Sequence, residues 1–173
     1  MTSMNPEAVL RFRREKDAFF KDSFDSPLEY EVRKKFTGLN YYEPNPDLVF
    51  TVGVEPGAGK EVFVKTSDDK ERIYRGAGHI SVVVDDKKAS LTLYDTGHPG
   101  FFLPFRDSTS GEETYGAGRY LEFETNDDGT VTVDFNMAYN PYCVYSDAYS
   151  CPIPPVENWL DVAIRAGEKN FDR

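Results

Sequence analysis

The spacing of apolar side chains changes once along this chain, near residue 48. Before that point it is helical. Ala8, Val9, Phe12, Phe19 and Phe20 fall within one arc of a helical wheel, with Arg11, Arg13, Arg14 and Asp17 largely elsewhere, which predicts a first helix. A second helix is predicted to start at Ser26, a good N-cap, with Pro27 in the first helical position and Glu29 completing a capping box. It runs towards Phe36 and ends at Thr37-Gly38, and its last turn carries Arg33-Lys34-Lys35, where cations face the negative end of the helix dipole.

From Leu48 the period is two. Strands are predicted over 48–54, 61–65, 71–74, 79–84 and 89–94, with Ser67-Asp68-Asp69 and Asp85-Asp86-Lys87-Lys88 as turns. Residues 119–125 and 130–136 form a further hairpin around Asn126-Asp127-Asp128-Gly129. Leu160, Val162 and Ile164 alternate with Asp161, Ala163 and Arg165, which predicts a closing strand. The expected fold is mainly β (α+β): an antiparallel barrel-like or sandwich domain with two N-terminal helices. One domain over 1–173 is expected, with a helical segment at 1–38 and the antiparallel β part at 46–173.

Charge narrows the partners. The net charge is −10, yet residues 1–35 carry +1, so the rest of the chain carries −11. Such a surface argues against nucleic acid and anionic membranes, both of which need a basic footprint, and it would suit a high-salt cytoplasm. The first 20 residues have no apolar run of signal-peptide length and soon turn charged, so a cytoplasmic location is expected. Cys143 and Cys151 are read as free thiols, because a reducing compartment disfavours disulfides. As nucleophiles they would need a base, and His79 and His98 are remote in sequence. No spacing typical of a metal or haem site is present, so no cofactor is expected; a lone His79 is more often a hydrogen-bonded core or surface residue than a ligand.

The most specialised stretch is 101–158, where aromatics, glycines and prolines interleave with Arg106, Asp107, Glu113, Arg119, Asp134 and Asn136. On the strand 131–136, Val131, Val133 and Phe135 share one face and Thr132, Asp134 and Asn136 the other. If the polar face lines a cavity, Asp134 needs a guanidinium or several N–H partners, with Arg106 and Arg119 the candidates; otherwise Asp134 is a solvent-facing residue. Arg106 could clamp a carboxylate or phosphate, or sit in an internal salt bridge. Asp107 could instead tie down an Asx-type turn over Ser108 to Ser110. Gly116-Ala117-Gly118 precedes a strand and lacks a P-loop lysine, so it reads as a tight bend.

These motifs, with Arg13 to Phe19 (RREKDAF), Ser26-Pro27-Leu28, Phe36-Thr37-Gly38-Leu39, PFRDSTSGEETYGAGRYLE, DFNMAYNPYCVYSDAYSCPIPPVENWL and IRAGEK, resemble the family called domain of unknown function 1684. The resemblance spans nearly the whole chain. It implies a single complete domain and no known activity, cofactor or catalytic residue. It places Arg106, Asp107, Thr109, Thr114, Tyr115, Gly116, Gly118, Arg119, Tyr120, Asp134, Asn136, Tyr139, Asn140, Pro141 and Cys151 within family motifs.

Three functions stay open at this level. A small-molecule binding module would hold an anionic or carbonyl-bearing ligand at the barrel mouth and the loop 136–158, through Arg106, Asp107, Tyr115, Arg119, Asp134, Asn136, Tyr139 and Asn140. A small-substrate hydrolase would use Asp134 or Glu113 as acid or base and Arg119 to stabilise negative charge. A scaffold or protein-interaction domain would use the same motifs for folding and expose Tyr139, Tyr142, Tyr145 and Tyr149.

Overall fold

The computed structural model describes residues 4–173. Helix α1 (Pro6–Asp22) starts at Asn5, whose side chain accepts from the backbone N–H groups of Glu7 and Ala8 at 3.1 and 3.3 Å. Proline occupies its first position, so no donor is wasted there. Helix α2 (Tyr30–Lys35) is shorter than expected. Ser26 does not cap it, and no capping box forms. Its hydroxyl donates instead to the Phe20 carbonyl at 2.6 Å and accepts from Leu28 N–H at 3.2 Å, fastening the link to the end of α1. Lys21 on α1 donates to the carbonyls of Arg33 and Lys34, which satisfies the C-terminal end of α2.

Eight strands follow: β1 (Val49–Val52), β2 (Glu55–Pro56), β3 (Glu61–Lys65), β4 (Glu71–Val84), β5 (Lys87–Asp95), β6 (Phe101–Phe105), β7 (Arg119–Phe123) and β8 (Val131–Asp134). They pair antiparallel in two sheets. One runs β2-β4-β5-β6-β7 with β3 also on β4, and the other is the pair β1-β8. The sheets do not close, so the barrel alternative gives way to a sandwich-like stack. The two strands expected at 71–74 and 79–84 are one strand, β4, whose register slips at Gly76/Gly78. A Cβ at Gly78 would lie 2.8 Å from the Glu55 carbonyl oxygen, so the close approach of β2 requires glycine. Asp85 and Asp86 both have positive φ (50° and 63°), the signature of the two-residue type I′ hairpin turn.

The expected 119–136 hairpin divides at its turn. β7 pairs with β6 and β8 pairs with β1, leaving a single bridge, Thr125 to Val131, between the two arms. The chain thereby crosses from one layer to the other. Val131, Val133 and Phe135 then face Leu91, Leu103, Phe105 and Leu121 in the main core. Phe105 and Phe135 meet edge to face at 5.3 Å. The far side of the large sheet carries a second cluster of Val64, Tyr74, Tyr94, Phe102 and Tyr120. A third cluster joins α1 and α2 to the loop after β8, with Phe20 and Tyr145 edge to face at 5.0 Å.

β6 was hidden in the sequence by its unbroken apolar run and by Pro104, which cannot donate to a ladder. The fold supplies a side chain where the ladder fails. Asn158 Nδ2 donates to the carbonyls of Thr92 on β5 (2.9 Å) and Pro104 on β6 (2.8 Å), and its Oδ1 accepts from Thr92 N–H (2.8 Å). This buried amide stitches the two central strands. The expected closing strand at 160–165 is absent. Val162 and Ile164 are buried as the alternation predicted, with Leu160 half-buried and Ala166 buried beyond them, but their segment runs as an irregular extended tail. No helix among the described residues is long and apolar enough to cross a membrane.

Candidate functional site

Arg119 is the largest fully buried side chain. It follows the parity of β7: Arg119, Leu121 and Phe123 point to the main core, while Tyr120 and Glu122 point to the opposite face. Its guanidinium replaces the strand that the tail never joins. It donates to the carbonyls of Ile164 (2.8 Å), Glu168 (3.1 Å) and Ala166. It also lies 3.5 Å from Asp107 Oδ1 and 5.3 Å over the Phe105 ring. Asp107 Oδ2 in turn accepts from Ile164 N–H (2.7 Å) and Thr109 Oγ1 (2.8 Å), and Oδ1 from Ser110 Oγ (3.3 Å). The Thr109 N–H also reaches Asp107 Oδ2 at 3.4 Å, so the Asx-type turn read from the sequence is present, inside a buried ion pair that clasps the tail. Burial, opposed by Asp107, holds the Arg119 pKa below the ordinary arginine value.

The structure distributes Arg106, Arg119, Asp134 and Asn136 over three places. Arg106 forms no salt bridge among the described residues; it stacks on Trp159 at 4.8 Å while its backbone pairs with Asn158 and Leu160. Asp134 accepts from the Asn136 backbone and side-chain amides, both at 2.9 Å. Asn136 exchanges two hydrogen bonds with the Asn45 backbone, at 2.8 and 2.9 Å. The arginine beside this corner is Arg13 of α1. It donates to the Tyr42 carbonyl at 2.6 Å and the Asn136 carbonyl at 3.5 Å, and stacks on Tyr41 at 4.6 Å. Asn140 lies deeper, donating to the Lys169 carbonyl (3.0 Å), and the Tyr115 hydroxyl stands 3.7 Å from Cys143 Sγ. Gly118, at φ 115°, packs so close to the Phe105 carbonyl oxygen that a Cβ would sit 2.4 Å away, which is the tight bend expected there.

The large hollow lies on the other face of the sheet. It is an open groove of about 920 Å³ between α1, the strands β4, β6 and β7, and the loop 139–152. Its walls are aromatic: Phe12 and Phe19 from α1, Tyr74 and Phe102 from the sheet, and Tyr120, Tyr139, Tyr142 and Tyr149. Of the residues expected at a site, only Tyr139 lines it. Lys16 enters from α1, its Nζ above the rings of Tyr139 (5.2 Å) and Phe20 (5.6 Å) and paired with the buried carboxylate of Glu168. Glu168 Oε1 also accepts from Tyr145 (2.7 Å) and the Asn140 N–H (3.1 Å). Arg72 and His98 stand at the exposed mouth beside Glu15 and Glu122.

The hydroxyls divide into two sets. Tyr139 donates to Glu122 Oε1 at 2.8 Å, and Tyr120 donates to the Pro152 carbonyl. No hydrogen bond among the described residues engages the hydroxyls of Tyr74, Tyr142 or Tyr149. Burial raises the pKa of Tyr120, Tyr139 and Tyr142 above the ordinary tyrosine value, so these phenols keep their protons. Aromatic walls with uncommitted O–H donors can hold a flat apolar body and direct hydrogen bonds to its oxygens. The signal available in sequence was the parity of β7, which sends Tyr120 and Glu122 to the face opposite Arg119.

A family model described as "protein of unknown function (DUF1684)" matches residues 34–169. The chain belongs to this family. A solved relative agrees with the fold: the solution NMR structure of an uncharacterised protein of Haloarcula marismortui is 38% identical, with a TM-score of 0.72 over 94% of this chain and 92% of that one. No curated protein matches the chain. The similarity in fold covers nearly the whole chain, and helix α1, which forms one wall of the aromatic groove, lies before the residues that the family model matches.

Proposed function

We propose that this DUF1684 protein binds a small molecule in the aromatic groove: a ligand with a flat apolar body and a carbonyl or anionic oxygen. The observation that carries the reading is the set of uncommitted hydroxyls, Tyr74, Tyr142 and Tyr149, on walls that otherwise offer rings. Arg72 and His98 at the mouth complement an anionic group. The hydrolase alternative has less support. Asp134 is engaged by Asn136, and Glu113 is engaged by Arg165 at 3.3 Å and Tyr42 at 2.8 Å; neither lines the groove. Those partners, Arg165 first, hold the Glu113 pKa below the ordinary value, the wrong direction for a general base near neutrality.

The test is a thermal denaturation screen against aromatic acids, ketones and amides. Binding to the folded state alone raises the midpoint, by an amount set by ligand concentration over Kd. A hit whose effect is lost in Tyr142→Ala and kept in Arg106→Ala supports the groove. A screen without hits, or hits insensitive to Tyr142 and Tyr74 substitutions, would remove the proposal.

A further inference from the structure

The chain has two cysteines, and the fold brings them together at one edge of the groove. The Cys143 backbone N–H donates to Cys151 Sγ at 3.3 Å, and the Tyr115 hydroxyl stands 3.7 Å from Cys143 Sγ. Both backbones are pinned. Cys151 exchanges hydrogen bonds with Ser67, its N–H to Ser67 Oγ at 3.1 Å and its carbonyl from Ser67 N–H at 2.8 Å. Arg173 grips the other side, donating to the Cys143 carbonyl at 2.7 Å and the Val144 carbonyl at 2.9 Å. The sulfurs are thus held as neighbours by contacts that do not involve a bond between them. Cys143 is half-buried and Cys151 is buried against the groove wall.

We propose that Cys143 and Cys151 form a redox-active thiol pair that a peroxide closes to a disulfide. Cys143 is the group that reacts first. Its thiolate accepts from the Cys151 thiol and the Tyr115 hydroxyl, and the Cys151 hydrogen bond foremost brings its pKa down to about 6. The same hydrogen bond, with burial, pushes Cys151 up. The charged groups nearby are Arg173, itself bound to Asp147, on the Cys143 side and Arg72 on the Cys151 side. The Cys143 thiolate attacks one peroxide oxygen and breaks the O–O bond, giving a sulfenic acid and releasing hydroxide. Cys151 sulfur then attacks the Cys143 sulfur; water leaves, carrying the sulfenic oxygen and the Cys151 proton, and the S–S bond forms. Two electrons pass from the thiol pair to the peroxide. The bond ties together the loop that carries Tyr142 and Tyr149, so the oxidation state sets the freedom of one groove wall.

The experiment treats the reduced native protein with one equivalent of hydrogen peroxide and follows thiol titration, intact mass and peptide mapping. The expected result is simultaneous loss of both thiols, a mass lower by two hydrogens, and a single intramolecular 143–151 link that a dithiol reductant reopens. In Cys151→Ser the sulfenic acid should accumulate on Cys143 and be trapped by a sulfenate-specific dione. Peptide mapping of native protein quenched early gives the same order of events should that variant not fold. Thiols that persist, oxidation of Cys143 to the sulfinic acid with Cys151 untouched, first attack at Cys151, or disulfide-linked dimers would each overturn the proposal.

Discussion

The two faces of β7 carry opposite kinds of polarity. On one, Arg119 is buried with nearly every partner supplied by the protein: three carbonyls and the Asp107 carboxylate. On the other, Tyr120 and Glu122 open onto a groove where Tyr74, Tyr142 and Tyr149 keep hydroxyls uncommitted. A charged motif that looks like a binding site in the sequence is here used up in folding, whereas the plainer aromatic positions remain available. The difference lies in what each polar group has left to offer a ligand.

The largest expected effect tests the buried side. Arg119→Met should lower unfolding free energy by about 3–5 kcal/mol in urea titrations, because it leaves the Asp107 carboxylate and the 164–168 carbonyls in the interior without their cation. A loss below about 1 kcal/mol would mean that the tail is held by its apolar contacts alone. Next in size, Asn158→Ala removes the amide between β5 and β6 and strands the Thr92 N–H, with an expected cost of about 1–3 kcal/mol. Hydrogen exchange at Thr92 should rise more than at Leu121; equal rises would indicate global unfolding instead of a local defect.

A third prediction concerns acid. Hydrogen bonds from Ser150 foremost, then Thr66, hold the Asp68 pKa down from 3.8 to about 2, and this carboxylate links the β3–β4 turn to the groove loop. A depressed pKa contributes stability that is present above 3.8 and lost as pH falls towards 2. Asp68→Asn should flatten that part of the pH–stability curve and leave pH 7 to 9 unchanged in shape; an unaltered acid limb would show that the side chain is not held. The smallest effect belongs to the open side. Tyr142→Phe should change stability by less than about 0.5 kcal/mol, since its hydroxyl has no hydrogen-bond partner among the described residues, while weakening any groove ligand that accepts from it by about tenfold.

Much of the architecture was legible in the pattern of the chain. The change of period near residue 48 located the helices and most strands, and Asp85-Asp86 announced its hairpin. Partner choice was not legible. Alternation in 119–136 shows which side of each strand is buried, but not that β7 and β8 pair with different sheets. Likewise, Val162 and Ile164 alternate because one side of the tail is buried, while their backbone groups are taken by Ser108 N–H, the Asp107 carboxylate and the Arg119 guanidinium in place of a regular strand. Ser26 met every local rule for an N-cap, and the Phe20 carbonyl took its hydroxyl instead. Arg119 could have been assigned to the core from its parity with Leu121. The groove could not be read from one segment, because α1, three strands and the 139–152 loop meet there only once folded.

The most direct test of this division is an amide chemical-shift titration of the native protein with a set of aromatic carboxylate fragments. The groove account predicts saturable shifts at Tyr74, Tyr142, Tyr149 and His98, with Asp107, Arg119 and the 164–168 tail unmoved. Shifts centred on Asp107 and the tail, with the groove resonances unchanged, would contradict it.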